Sequence, residues 1–213
     1  EEGRQLVSAH GQSVLAATRH TLQPGEARSS IAFLSFSSGT TGLPKGVAIQ
    51  HYAVTSNALQ TMAHNRVRPT LGATTGRFRP GKDVSLGVLP QVHIFGLSTC
   101  THFTFYAGIA NVVLPRFRGI EAMIRTILRY RISVWWLVPP HVVLFCKDPC
   151  VERYLEDLRG VARFAMVGAA PLSDDLSRQF TKRFPELDWG QGSGMTETCS
   201  VTTMFPVGER AVL

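Results

Sequence analysis

Cysteine is scarce in this sequence, and the four that occur (Cys100, Cys146, Cys150, Cys199) include no C-x-x-C pair. Cys146 and Cys150 stand four apart with no second pair or histidine cluster to complete a zinc site. The thiols therefore read as reduced groups of an intracellular protein, not a disulfide framework. No secretory leader pattern opens the chain. The expected location is the cytoplasm, with the peroxisome left open. Long apolar runs are also missing. The most apolar stretch, Val134 to Cys146 (VWWLVPPHVVLFC), is too short for a membrane span and is broken by Pro139 and Pro140. There is no internal repeat and no low-complexity segment.

Acidic residues are outnumbered, 15 against 22 lysines and arginines, giving a formal charge of +7. Such a balance suits nucleic acid, a membrane surface or an anionic small molecule. The positive residues are mostly scattered. Their densest run, Arg66 to Lys82 (RVRPTLGATTGRFRPGK), is spaced by Gly, Pro and Thr around one aromatic, Phe78. It reads as a solvated loop, and no nucleic-acid partner is expected.

What is present suits one globular core: 44% hydrophobic and 17% charged residues in 213, with the 19 glycines and 12 prolines of a loop-rich α/β protein. Residues 4–20 suggest a weakly patterned helix, followed by a polar turn over 23–30. Strands are expected at 31–36, 47–49, 84–89, 110–114, 133–138, 163–167 and 189–194. Helices are expected at 52–65, with Tyr52, Leu59 and Met62 inward, and at 96–107, 120–130 and 172–184. The 120–130 helix carries an apolar stripe of Ile120, Met123, Ile124, Ile127 and Leu128. Ser173 is a good N-cap, with Asp174 and Asp175 behind it. Strands alternating with helices imply a layered α/β/α fold with a largely parallel sheet.

Four clusters carry the chemistry. The first is SSGTTGLPKGV, Ser37 to Val47, between the first two strands. Hydroxyl residues, glycines and Lys45 offer backbone N–H groups, O–H groups and one positive charge to phosphate oxygens. It is not a P-loop of the G-x-x-x-x-G-K-[ST] type: counting from Gly39, Pro44 replaces the second glycine and Gly46 replaces the Ser or Thr. The second, LPQVHIFGL (Leu89 to Leu97), sets His93 after a strand. The third, VGAAPLS (Val167 to Ser173), puts small residues at a strand's carboxyl end, where a flat ring can approach the backbone. The fourth, GQGSGMTET (Gly190 to Thr198), alternates glycines before Thr196 and Glu197, offering a backbone cradle, a hydroxyl and a carboxylate. Taken singly, each has an ordinary reading: a linker, a semi-buried histidine, a turn, a surface charge.

In this order, SSGTTGLPKGV, LPQVHIFGL, GAAPL and GSGMTE resemble the motif set of the AMP-forming acyl-adenylating family, with the nearest likeness to 4-coumarate-CoA ligase-like and phenylacetyl-CoA ligase-like enzymes. The resemblance runs from about Ile31 to Met204. It implies that residues 31–213 are part of the large N-terminal, AMP-binding domain, preceded by a leading segment over 1–30. The lysine-bearing C-terminal domain of the family is absent from the sequence, so the isolated chain is expected to be weakly active or inactive.

The implied reaction activates a carboxylic acid with ATP and Mg²⁺ as acyl-AMP, then transfers the acyl group to coenzyme A. By the same resemblance, Ser37, Ser38, Gly39, Thr40, Thr41 and Lys45 would hold the β- and γ-phosphates. Ala169, Gln191 and Gly192 would line the adenine pocket, Thr196 would contact the α-phosphate, and Glu197 would ligate Mg²⁺. Met204 falls where such enzymes contact the nucleotide. His93 would stand beside the carboxylate, Phe95 and Thr99 would line the acyl pocket, and Arg116 would replace a lysine near the CoA nucleotide. Ser193 departs from the family, which usually places an aromatic there against the adenine. Two other readings fit the same motifs: an adenylation domain that loads a carrier protein, and a non-catalytic nucleotide-binding module, which Ser193 favours.

Overall fold

The computed structural model describes residues 21–38, 43–68 and 76–208. The helix expected over 4–20 lies outside the described residues. A hairpin opens the described fold, with β1 (Ile31–Ser38) antiparallel to β2 (Pro44–Gln50), and α1 (His51–His64) follows. The main sheet has six strands in the order β4-β3-β5-β6-β7-β8. These are β3 (Val84–Gly87), β4 (Ala110–Val113), β5 (Val134–Leu137), β6 (Phe164–Val167), β7 (Asp188–Met195) and β8 (Ser200–Met204). All neighbouring pairs are parallel except β7 with β8. The largely parallel layered sheet expected from the sequence is therefore present. Among the described residues, no helix is long and apolar enough to cross a membrane.

The two central strands explain the layering. β5 (VWWL) and β6 (FAMV) are buried along their whole length, as strands covered on both faces must be. Adjacent residues of a strand point to opposite faces, so Trp135 and Trp136 anchor two aromatic layers. Trp136 meets Phe78, Phe103 and Phe164 on one face. Trp135 stacks on Phe145 and meets Phe184 on the other. Each indole also places its N–H: Trp135 donates to the Ile132 carbonyl and Trp136 to Ser85 Oγ, both at 2.9 Å.

The first layer is covered by α1 and α2, the latter a π-helix (Phe95–Phe103) ending in an α-turn (Thr104–Tyr106). The second is covered by α3 (Ile120–Tyr130), α4 (Pro139–Lys147), α5 (Leu155–Val161) and α6 (Asp174–Arg183). The amphipathic reading of α3 holds: Ile120, Met123, Ile124 and Ile127 are buried. Ser173 caps α6 by accepting from Leu176 N–H at 3.3 Å.

Several local expectations fail for physical reasons. On α1 only Met62 of the three proposed inward residues is buried; Tyr52 and Leu59 are exposed. The inward face carries Asn57 and Thr61, made tolerable by hydrogen bonds to the Val201 and Asn57 carbonyls, both 2.8 Å. Hydropathy cannot detect a polar face satisfied from a distant strand. The sequence pattern offers no helix at α4, because Pro139 and Pro140 interrupt the apolar stretch; they occupy the helix's first turn, where their missing N–H groups cost nothing. The strand β8 is also missing from that pattern.

The basic run 66–82 is not simply a solvated loop. Arg77 is buried and Phe78 is fully buried. Arg77 donates to Asp188 Oδ2 (2.9 Å), Asn65 Oδ1 (3.0 Å) and the Phe205 carbonyl (3.1 Å), and lies over the Phe205 ring. It ties β7 to the chain after β8.

A second polar node ties the amino ends of the central strands. The fully buried Asp83 carboxylate, just before β3, accepts from Arg79, from Ser133 before β5 and from Arg163 before β6, each at 2.9 Å. Burial works to raise the Asp83 pKa, but hydrogen bonds from Arg79, the Arg163 charge and the Ser133 hydroxyl outweigh it, holding the carboxyl below the usual range. A carboxyl depressed by folding adds stability above its unfolded pKa and loses it as pH falls through the folded value. Asp83→Asn is expected to cost roughly 3 kcal/mol, toward the low end for broken buried pairs because both arginines reach solvent. It should also flatten the acid limb of stability. Urea unfolding of both proteins between pH 3 and 7 reads both effects; equal midpoints would show the node to be dispensable.

Candidate active site

Topology opens the site before any side chain is considered. The chain passes from β3 outward to β4, then returns to place β5 on the other side of β3. The connections leaving the carboxyl ends of β3 and β5 diverge, and a crevice opens between them. A cavity of about 770 Å³ lies there, walled by the segments that follow β3, β4, β5 and β6. Its lining is mainly apolar, with Gln91, His93, Arg116 and His141 as its polar side chains.

A second cavity, about 320 Å³, sits at the ends of β6 and β7 between Ala169–Pro171 and Gln191–Gly194. A narrow gap shares His93 and Phe95 with the large cavity and Gly192 and Ser193 with the second. Ala169 borders all three spaces. It adopts φ 73°, in the left-handed region that disfavours a side chain. Ala169, Gln191, Gly192 and Ser193 thus come together on one wall. Gln191 also has a structural duty: its Oε1 accepts from Leu172 N–H at 2.9 Å. Ser193 is exposed.

His93 reaches the junction on the segment between β3 and α2. Phe95 N–H donates to its Nδ1 at 3.2 Å. A neutral ring whose Nδ1 accepts carries its proton on Nε2, so the exposed side of the imidazole is a donor. Phe95 is buried and lies close enough to Gly168 that a Cβ there would come within 3.0 Å of its ring.

The hairpin supplies the remaining charged group. Ser37 pairs with Lys45 and Ser38 with Pro44, so Lys45 belongs to β2 and not to the loop. The loop residues Gly39, Thr40 and Thr41 lie outside the described residues. A small satellite core of Ile49, Val54, Ile94 and Cys199, with Phe33 and Val47 against it, docks the hairpin on α1 and on the turn Thr196–Thr198. That docking brings Lys45 Nζ to 2.6 Å from Glu197 Oε1. Lys45 is the chief cause holding the Glu197 carboxyl below its usual pKa, so Glu197 is ionised at neutral pH. Thr196 is buried beside it. Thr198 holds the turn, accepting from Met195 N–H at 3.1 Å. The chain leaves the turn through two left-handed residues, Cys199 (φ 58°) and Ser200 (φ 97°).

Two expected residues, Thr99 and Met204, line neither of these cavities. Thr99 is buried, with its Oγ1 2.8 Å from Ser200 Oγ, and does not line the large cavity. Met204 lies against Asn65, whose Nδ2 is 3.5 Å from its sulfur, and borders a separate cavity beside α1. Arg116 is exposed on the wall of the large cavity, past β4. The sequence reading missed His141, which enters the large cavity from α4; with that helix unrecognised, nothing placed its first turn against the site.

The alternating glycines of β7 also change meaning. A Cβ at Gly190 would lie 2.3 Å from the Phe205 ring, one at Gly192 2.7 Å from Met166 Sδ, and one at Gly194 1.9 Å from the Ser200 carbonyl. Each is demanded by the protein's own packing, whatever else the strand holds.

Comparison with known proteins bears on the whole region. The model of a family described as AMP-binding enzyme matches residues 3–212. The chain is 42% identical over 173 residues to 4-coumarate-CoA ligase 2 of Narcissus pseudonarcissus, covering 81% of this chain and 28% of that protein. It is 40% identical over 174 residues to 4-coumarate--CoA ligase 3 of Arabidopsis thaliana, covering 81% and 29%. ATP-bound MatB from Rhodopseudomonas palustris superposes with a TM-score of 0.67 at 27% identity, covering 85% of this chain and 32% of that one. A red-emitting luciferase from Phrixothrix hirtus gives 0.66 at 31% identity, covering 88% and 34%. The chain spans about three-tenths of the length of the curated relatives it matches.

Gly190→Ala is expected to destabilise the fold by about 2 kcal/mol through overpacking against Phe205. Double substitution with Phe205→Ala should recover part of the direct clash. Urea midpoints of the two single variants and the double variant measure the coupling, and simple additivity would contradict the contact.

Proposed function

The chain belongs to the AMP-binding enzyme family, and from that premise we propose that it activates a carboxylic acid with ATP as acyl-AMP and passes the acyl group to coenzyme A. The observation that carries this reading is a set of three features. An apolar cavity of about 770 Å³ and a cavity of about 320 Å³ share Ala169, a narrow gap bordered by His93 lies beside both, and the hairpin delivers Lys45 to Glu197 on the turn after β7. The 4-coumarate ligases among its relatives point to an aryl or similar acid in the large cavity.

The residues fit the groups that this chemistry requires. Small side chains and backbone at Ala169–Pro171 and Gln191–Gly194 admit a flat purine ring beside the sheet. Among the described residues no three His, Cys, Asp or Glu gather to hold a metal. A lone carboxylate such as Glu197 suits Mg²⁺, which is held largely by substrate phosphates and water. Bound there, Mg²⁺ would supply charge neutralisation on the phosphates.

In the proposed mechanism His93 Nε2–H orients the acid's carboxylate at the junction. A carboxylate oxygen attacks the α-phosphorus, and the bond to pyrophosphate breaks. Lys45, with Ser37, Ser38 and the loop residues Gly39, Thr40 and Thr41, offsets the negative charge leaving with pyrophosphate. Thr196 donates to the α-phosphate. The thiol of coenzyme A then attacks the acyl carbon and AMP departs, with Arg116 offering a cation to the thiol carrier's phosphates. Phe95 closes the apolar wall. The Lys45–Glu197 pair keeps both groups at the site until nucleotide and cation separate them.

A second reading, a nucleotide-binding module without turnover, draws support from Ser193, which is exposed and has no π-face to stack on adenine. ATP–pyrophosphate exchange with a panel of aryl and fatty acids separates the two. Exchange above background supports activation; ATP binding with no exchange for any acid supports the module. Where exchange is present, Lys45→Ala and Glu197→Gln should each lower its rate about 100-fold, as loss of one preorganised charge does. Because Lys45 holds the Glu197 carboxyl down, Lys45→Ala should also move the acid limb of the residual rate to higher pH. An unmoved limb would mean that the pair does not govern that ionisation.

A further inference from the structure

The large cavity has two polar groups that the proposed mechanism does not use, Gln91 and His141. Gln91, His93 and Arg116 are exposed, whereas His141 is half-buried in the apolar wall. It sits in the first turn of α4, which starts at Pro139 directly after β5. Val138 N–H donates to its Nδ1 at 3.4 Å. Its ring lies 5.6 Å from that of Phe117, beyond β4, and it does not border the narrow gap lined by His93 and Ala169.

With Nδ1 accepting, the neutral imidazole carries its proton on Nε2. Among the described residues, nothing accepts from that Nε2. Burial pushes the His141 pKa down, which keeps the ring neutral and makes it a poor host for a second carboxylate. A neutral donor in an apolar wall favours a ligand that brings a neutral acceptor, because leaving the donor unpaired is costly.

We propose that His141 is a specificity-determining residue: its Nε2–H donates to a neutral oxygen, a hydroxyl or an ether, carried at the end of the acid remote from its carboxylate. The inference rests on the acid-activating reading and deepens it by naming a feature of the acid. His93 and Ala169, which border the narrow gap beside the large cavity, mark the carboxylate end. The ring of His141, beside Phe117, borders the large cavity and neither the gap nor the second cavity.

The test uses two acids of nearly equal shape, 4-methoxycinnamate and 4-ethylcinnamate, which differ by an oxygen in place of a methylene. Calorimetric dissociation constants are measured for the wild-type protein, His141→Leu and His141→Gln. Glutamine keeps both an acceptor for Val138 N–H and a donor; leucine keeps neither. The preference for the methoxy acid over the ethyl acid should fall roughly 3- to 10-fold in His141→Leu, the value of one neutral hydrogen bond. It should survive in His141→Gln. His141→Phe, which keeps a ring and removes the donor, gives the same reading if the leucine variant unfolds in a thermal melt. If both acids bind and the preference is unchanged by loss of the donor, the proposal is overturned while the acid site stands. If neither acid binds the wild-type protein at millimolar concentration, the cinnamate-sized acid site falls and the proposal falls with it.

Discussion

One buried carboxylate organises the sheet from which everything else hangs. Asp83 gathers Arg79, Ser133 and Arg163 at the amino ends of β3, β5 and β6. A charge in that position would be costly if left alone, and its neighbours hold it ionised through directed hydrogen bonds. The consequence is asymmetry. Polar groups are spent at the amino ends of the strands, and the carboxyl ends, where the connections from β3 and β5 diverge, stay open to form the cavities.

The site is then assembled from pieces that have little to do with one another locally. The hairpin has its own small core of Ile49, Val54, Ile94 and Cys199. Ile94 neighbours His93, and Cys199 follows the turn that bears Glu197. A handful of apolar contacts therefore sets the relative positions of Lys45, His93 and Glu197, and the 2.6 Å pair between Lys45 and Glu197 is the visible result. Strain collects in the same region, at Ala169, Cys199 and Ser200, all with positive φ. Residues in sparsely populated conformations persist where the surroundings over-determine them, and here those surroundings are the strand ends that face the cavities.

Pattern reading succeeded where the signal was local or periodic. The stripe of α3, the Ser173 cap and the buried strands β5 and β6 follow from spacing and residue type alone. It failed where a distant partner changed a residue's environment. Asn57 faces inward because β8 supplies an acceptor, and Arg77 is buried because Asp188, Asn65 and the Phe205 carbonyl surround its guanidinium. The glycines of β7 looked like a ligand cradle and are first of all spaces for Phe205, Met166 and the Ser200 backbone. Thr99 and Met204 have polar or sulfur contacts away from the two principal cavities.

By itself the sequence determined the layered α/β class, the order of its motifs and the chemistry those motifs carry. Hydrophobic period, turn residues and charge are properties of neighbouring positions along a chain. Only the tertiary structure decided which of those residues meet. The partner of Lys45, the inward face of α1 and the entry of His141 into the large cavity all depend on contacts between segments far apart in sequence, and no local pattern encodes the distance between them.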